Sequence, residues 1–236
     1  MIIKREKEIL SQWISPRYLE KKTQTRLKRA FVDESFALLD AFLREEVHEK
    51  LQKELKASKE KAKWDRNGPP NKQLFLTSQD QDAMPVAMAL KQIMQSDLFF
   101  GLIKKITNLE VSKGYGALRC FDNGHYTLLH DEDPDADKES LDCTLCVLPL
   151  EEIPTEDGLW DEDWGGFVCY CDSDRVIENV LPDSNSLCLL YRLEGVRSFV
   201  KMPTHHAPCS RFDLSFVFRE EDSPSPSSSS SSSSRN

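Results

Sequence analysis

The spacing of apolar residues along the chain changes once, near residue 110. Before that point "SFALLDAFLREEVHEKLQKELKAS" sets Leu39, Phe42, Leu43, Val47, Leu51 and Leu55 three and four residues apart, with charges between them, which predicts an amphipathic helix. "WDRNGPPNK" ends that pattern with Gly68, Pro69 and Pro70, a turn fixing the exit of the helix. A second helical region is expected from about Pro85 to Leu109, its stripe of Val86, Leu90, Ile93, Met94, Phe99 and Leu102 packing against a sheet and Pro85 suiting a first turn. From Glu110 the period shortens to two. "EVSKGYGALRCF", "HYTLLHD", "LDCTLCVLPL", "GGFVCYC", "RVIENVL", "SLCLLYRL", "RSFVKM" and "RFDLSFVF" read as strands separated by turn residues. No helices separate them, which disfavours a parallel α/β fold. The expectation is an α+β protein, either a two-sheet sandwich or a double-stranded β-helix with helices buttressing one face.

One domain is expected over residues 1–222, mainly helical to 109 and β from 110 to 219. The stretch "SPSPSSSSSSSSRN" from Ser223 has too little apolar content for a core and is expected to be disordered. No run of about 18 apolar residues suits a bilayer, and the first residues lack a secretory h-region. Seven cysteines without framework spacing suit reduced, intracellular thiols. "CTLC" at 143–146 has no second such pair to complete a zinc site, and Cys169 and Cys171 share a strand face, as core packing explains.

Charge divides the chain unevenly. Residues 1–72 hold 18 Lys and Arg against 12 Asp and Glu, and residues 73–234 hold 12 against 28. The acidic β half argues against nucleic acid as a ligand and suits a basic protein partner better.

Candidate chemistry centres on "GHYTLLHDEDPDADKES". Residues two apart on a strand point the same way, so His130 and Glu132 could present an imidazole and a carboxylate to one metal ion. A non-haem Fe(II) triad adds a second histidine and leaves positions open for 2-oxoglutarate and oxygen. Arg211, opening the last strand, is the candidate for the cosubstrate's carboxylate, which a guanidinium grips with two hydrogen bonds. About ten residues before it stands "SFVKM", with Val200 or a neighbour where an imidazole is needed. His205 and His206 fall in a proline-flanked turn. The acids from Asp131 onward also read as a solvated loop, or as an oxygen-rich calcium loop without EF-hand spacing.

"LSQWISPRYL", "WDRNGPPNK", "GHYTLLHD", "WDEDWGGFVCY", "SNSLCLLYR", "FVKMPTH" and "FDLSFVF" together resemble the C-terminal domain of the eukaryotic two-domain prolyl hydroxylases that act on a small-subunit ribosomal protein. The resemblance implies a double-stranded β-helix (jelly roll, cupin-like) with buttressing N-terminal helices. It further implies a protein-interaction or regulatory domain, because in that family the N-terminal domain holds Fe(II) and 2-oxoglutarate, with ascorbate as a further cofactor of the parent enzyme. The expected partner is a catalytic prolyl hydroxylase domain or a ribosomal protein, in nucleus or cytoplasm, with no membrane and no cofactor in this domain. The competing expectation is an active dioxygenase, with His130, Glu132 and His205 or His206 on Fe(II) and Arg211 on 2-oxoglutarate.

Smaller features have local readings. Gly165 and Gly166 suit a tight turn or a close strand approach, and Asn185 with Ser186 a turn. Tyr126, Tyr191 and Arg192 are candidates to line a β-helix interior.

Overall fold

The structure is a computed structural model and describes residues 8–129, 138–153 and 159–220. The serine-rich stretch from Ser223 lies outside those residues. All eight predicted strands form: β4 (Val111–Phe121), β5 (Tyr126–Thr127), β6 (Ser140–Val147), β7 (Val168–Cys171), β8 (Val176–Val180), β9 (Ser186–Arg192), β10 (Arg197–Val200) and β11 (Arg211–Glu220). Three more come from the helical third, β1 (Phe36–Leu39), β2 (Asp65–Asn67) and β3 (Gln73–Ser78). The strands make an eight-stranded sheet ordered β1-β9-β6-β11-β4-β3-β2, with β5 on β3, and a three-stranded sheet ordered β10-β7-β8. Every pairing is antiparallel. This is a double-stranded β-helix whose large sheet carries the helices on its outer face.

The helices are α1 (Lys21–Glu34), α2 (Glu45–Lys61), α3 (Pro85–Met94) and α4 (Asp97–Thr107). Two expectations about them need correction. The stripe starting at Leu39 is not one helix, since Phe36–Leu39 pairs with β9 and the helix begins only at Glu45. Buried Asn185 imposes the difference: its Oδ1 accepts from Leu43 N at 2.7 Å and its Nδ2 donates to Leu43 O at 3.1 Å, which holds that backbone out of a helix. Asn185 itself takes φ 62°, as its turn reading implied. The second region is two helices, divided where the Ser96 side chain caps α4 by accepting from Phe99 N. They bend by 59°, and among the described residues no single helix is long and apolar enough to cross a membrane. The Gly-Pro-Pro turn joins β2 to β3 rather than following the helix directly.

The main core fills the space between helices and large sheet. Leu51 and Leu55 of α2, Leu90 and Met94 of α3 and Phe99 and Leu102 of α4 meet Leu118, Leu145, Leu189 and Phe216 from the strands. Gly114 and Gly116 on β4 make room for the rings opposite them. A Cβ at Gly116 would stand 2.0 Å from the Phe216 ring, and one at Gly114 2.2 Å from Phe218.

Candidate functional site

Alternation places every second residue of the large sheet inside the barrel, and that face is charged. On β11, Phe212, Leu214, Phe216 and Phe218 go to the helix side, which sends Arg211, Asp213 and Ser215 inward. Arg119 on β4 is the register neighbour of Asp213. Its Nε and Nη2 donate to Asp213 Oδ1 and Oδ2 at 2.7 and 3.0 Å, a bidentate pair. Arg211 Nη2 donates to the same Oδ2 at 2.8 Å, and Arg211 Nη1 donates to the Gly166 carbonyl. One fully buried carboxylate therefore serves two guanidiniums, both lying over the Phe121 ring at 5.2 and 5.7 Å.

A second pair lies alongside, with Arg192 Nε 3.4 Å from Asp142 Oδ1. Burial pushes the Asp142 carboxyl above its usual range, against the lowering pull of Arg192 and a hydrogen bond with Tyr170. Burial, then the Asp142 charge, pushes the Tyr170 phenol well up. These groups face a cavity of about 210 Å³ between the sheets, lined also by Thr144, Ser215 and Val200.

Of the predicted site residues within the described part of the chain, Arg211 reaches the barrel interior and His205 and His206 do not. His130 and Glu132 lie outside the described residues. His205 and His206 sit exposed on the turn after β10, their ring centroids 3.8 Å apart. Val200, at the end of β10, is the residue that turns inward. Arg211 does reach the interior, where Asp213 takes its Nη2 and the Gly166 carbonyl its Nη1, while its Nε is buried without a hydrogen-bond partner among the described residues. Among the described residues no three His, Cys, Asp or Glu side chains could hold a metal ion. Among the described residues, His205 and His206 do not line the cavity and two of the three Arg211 nitrogens are engaged, while the other two candidate ligands fall outside the described residues.

Gly165 and Gly166 have φ near +70°, and a Cβ on Gly165 would meet Met202 O at 2.3 Å, so a close approach requires glycine there. That approach brings the Gly166 carbonyl to Arg211. Arg192 lines the interior as expected, whereas Tyr191 faces the helix side and donates to Glu139 Oε2 at 2.8 Å. Tyr126 donates to the Pro70 carbonyl. Cys143 belongs to the helix-side core and Cys146 to a separate cluster with Trp160 and Cys209, so "CTLC" splits across the sheet. Burial raises the Cys146 and Cys188 thiols to about 12.

Sequence reasoning missed Arg119, Asp142 and Asp213. Each is a charge set inside an apolar alternation, in "GALRCF", "LDCTLCV" and "RFDLSFVF", and that was the available signal.

Residues 5–223 match the family described as "Oxoglutarate and iron-dependent oxygenase degradation C-term". The chain is 25% identical to prolyl 3-hydroxylase OGFOD1 of Xenopus laevis, over 86% of this chain and 45% of that protein. It is 24% identical to prolyl 3-hydroxylase sudestada1 of Drosophila melanogaster, over 86% of this chain and 42% of that one. It spans about half the length of the curated relatives it matches. Among solved structures, a Trichoplax adhaerens prolyl hydroxylase in complex with a hypoxia inducible factor oxygen degradation domain peptide superposes with TM-score 0.62 at 12% identity, covering 85% of this chain and 90% of that one. A Pseudomonas putida prolyl-4-hydroxylase gives TM-score 0.59 at 16% identity, covering 84% and 98%. At these identities the likeness is one of fold.

Proposed function

Because this chain belongs to the oxoglutarate and iron-dependent oxygenase degradation C-terminal family, we propose that it is a non-catalytic interaction and regulatory domain of a 2-oxoglutarate- and Fe(II)-dependent prolyl hydroxylase acting on a ribosomal protein. The observation that carries this reading is the buried ion network in the barrel, which engages Arg211 with a protein carboxylate. Asp213 accepts from both Arg119 and Arg211, so that Arg211 Nη2 is held by a carboxylate of the protein itself and Nη1 by the Gly166 carbonyl. A buried carboxylate shared by two arginines is expensive to open, since separating them exposes uncompensated charge in a low dielectric. The barrel here works as a rigid scaffold for protein contacts. Its partner is a catalytic prolyl hydroxylase domain or a basic ribosomal protein, met in nucleus or cytoplasm, for which the acidic β half is suited.

Anaerobic titration with Mn(II) and 2-oxoglutarate, followed calorimetrically, tests the reading. No stoichiometric binding is expected. Binding that His130→Ala abolishes would overturn it in favour of an active dioxygenase, with His130, Glu132 and His205 as ligands and Arg211 released from Asp213 to hold the cosubstrate.

A further inference from the structure

A groove of about 740 Å³ lies outside the barrel, between α1 and α4. Its floor is leucine, and Leu10, Leu19 and Leu102 there are already buried. Its rim is lysine, with Lys21 and Lys28 from α1 and Lys104 and Lys105 from α4, all exposed. Lys104 pairs with Glu110, and Asp97 is the acidic residue on the rim. Lys21, Lys28 and Lys105 make no ion pair with another described residue. Three of its four leucines are buried and Leu98 is half-buried, so the groove offers a ligand an apolar wall edged by positive charge, in a protein whose formal charge is -9.

The end of β11 lies beside that charge. Glu220, its last residue, pairs with Val111, three residues beyond Asn108, which lines the groove. Three residues of chain and one strand spacing put the two within roughly 15 Å of each other. After Glu220 the chain reads "EDSPSPSSSSSSSSRN", residues 221–236. Sixteen residues extend to about 50 Å, ample to run along a helix pair. This segment has no large apolar side chain, so it has nothing to bury on leucine. Unmodified, it brings only Glu221 and Asp222 to the lysines. Its ten serines include Ser223 and Ser225, each followed by proline. When a kinase moves the terminal phosphoryl group of a nucleoside triphosphate onto a serine Oγ, the hydroxyl proton is released and the nucleoside diphosphate leaves. Each such step adds a charge of about -1.5 to -2 and three strong acceptor oxygens.

We propose that the lysine-rimmed groove between α1 and α4 is the docking site of the chain's own C-terminal segment once its serines are phosphorylated. The segment before Leu10 is the other candidate occupant; its Met1, Ile2 and Ile3 suit the leucine wall, but Lys4, Arg5 and Lys7 outnumber Glu6 and Glu8 and give it the same net sign as the rim.

The test titrates the full, unmodified chain into a fluorescent peptide of residues 221–236 phosphorylated on Ser223 and Ser225, read by anisotropy. Binding is expected at least about tenfold tighter than for the unphosphorylated peptide, and weaker as salt rises. Lys21→Glu with Lys28→Glu is expected to abolish it. Gly101 lines the groove, and a Cβ added there meets nothing within 4 Å. Gly101→Trp therefore fills the groove while keeping all four lysines in the sequence and is expected to abolish binding as well, with far-UV circular dichroism unchanged. A chain phosphorylated on its own Ser223 and Ser225 is expected to bind the peptide about tenfold more weakly, because its tethered segment competes at high effective concentration. Equal affinity of both peptides, or indifference to Gly101→Trp, overturns the proposal. Undiminished binding by the phosphorylated chain overturns it too and assigns the groove to another polypeptide, as does competition by a peptide of residues 1–7.

Discussion

The large sheet has two faces made from the same strands, and they are stabilised by different physics. Toward the helices, Leu118, Leu145, Leu214 and Phe216 form an apolar layer that excludes water and depends on shape. Toward the barrel, Arg119, Asp142, Arg192, Arg211 and Asp213 form an ionic layer in which each charge depends on its neighbour. A lost methyl group on the first face leaves a small void. A lost carboxylate on the second leaves buried charge.

The largest effect is therefore expected from Asp213→Ala, which strips both Arg119 and Arg211 of their carboxylate and is expected to lower stability by about 3–5 kcal/mol in urea denaturation. Next comes Leu214→Ala, the adjacent residue on the opposite face, with an expected loss of about 3 kcal/mol from transfer and cavity terms. If Leu214→Ala proved much the more damaging, the barrel would be wet enough to solvate its arginines, and the contrast between faces would fail. A double replacement sharpens it further. Asp142→Leu with Arg192→Met removes a whole pair, and is expected to leave stability within about 1 kcal/mol of the parent or above it, while each single change costs more. Calorimetric melting of the four proteins would show that coupling.

The smallest effect is in pH dependence. The folded-state pKa of Asp142 is raised by burial, so the protonated carboxyl favours folding. That contribution is fully present below the unfolded value of about 3.9 and is lost as pH rises through the folded one. Asp142→Asn is expected to flatten this decline, seen as a smaller fall in denaturation midpoint on going upward from about pH 4. A parallel pair of pH profiles would contradict the assignment.

How much of this was legible in the sequence varies with the range of the interactions. The strands from β4 to β11 were readable because a sheet covered on one side imposes a period of two on its residues, as in "RFDLSFVF". The start of α2 was not, because Leu39, Phe42 and Leu43 keep helical spacing while β9 and the side chain of Asn185, far along the chain, decide their conformation. At the candidate site, Arg211 was visible as a cation at the head of a strand, but the residues that occupy it were not. Asp213 is two positions away on the same strand, and Gly166 is reached only through a positive-φ turn packed on Met202.

The sequence by itself determined the order of the strands from β4 to β11, the alternation along strands such as β11, and the resemblance that places the chain in its family, because all of these follow from local periodicity and motif. Only the tertiary structure decided which charges neutralise one another inside the barrel. Which guanidinium meets which carboxylate is set by strand register between residues as far apart as Arg119 and Asp213, and register is a property of the assembled sheet.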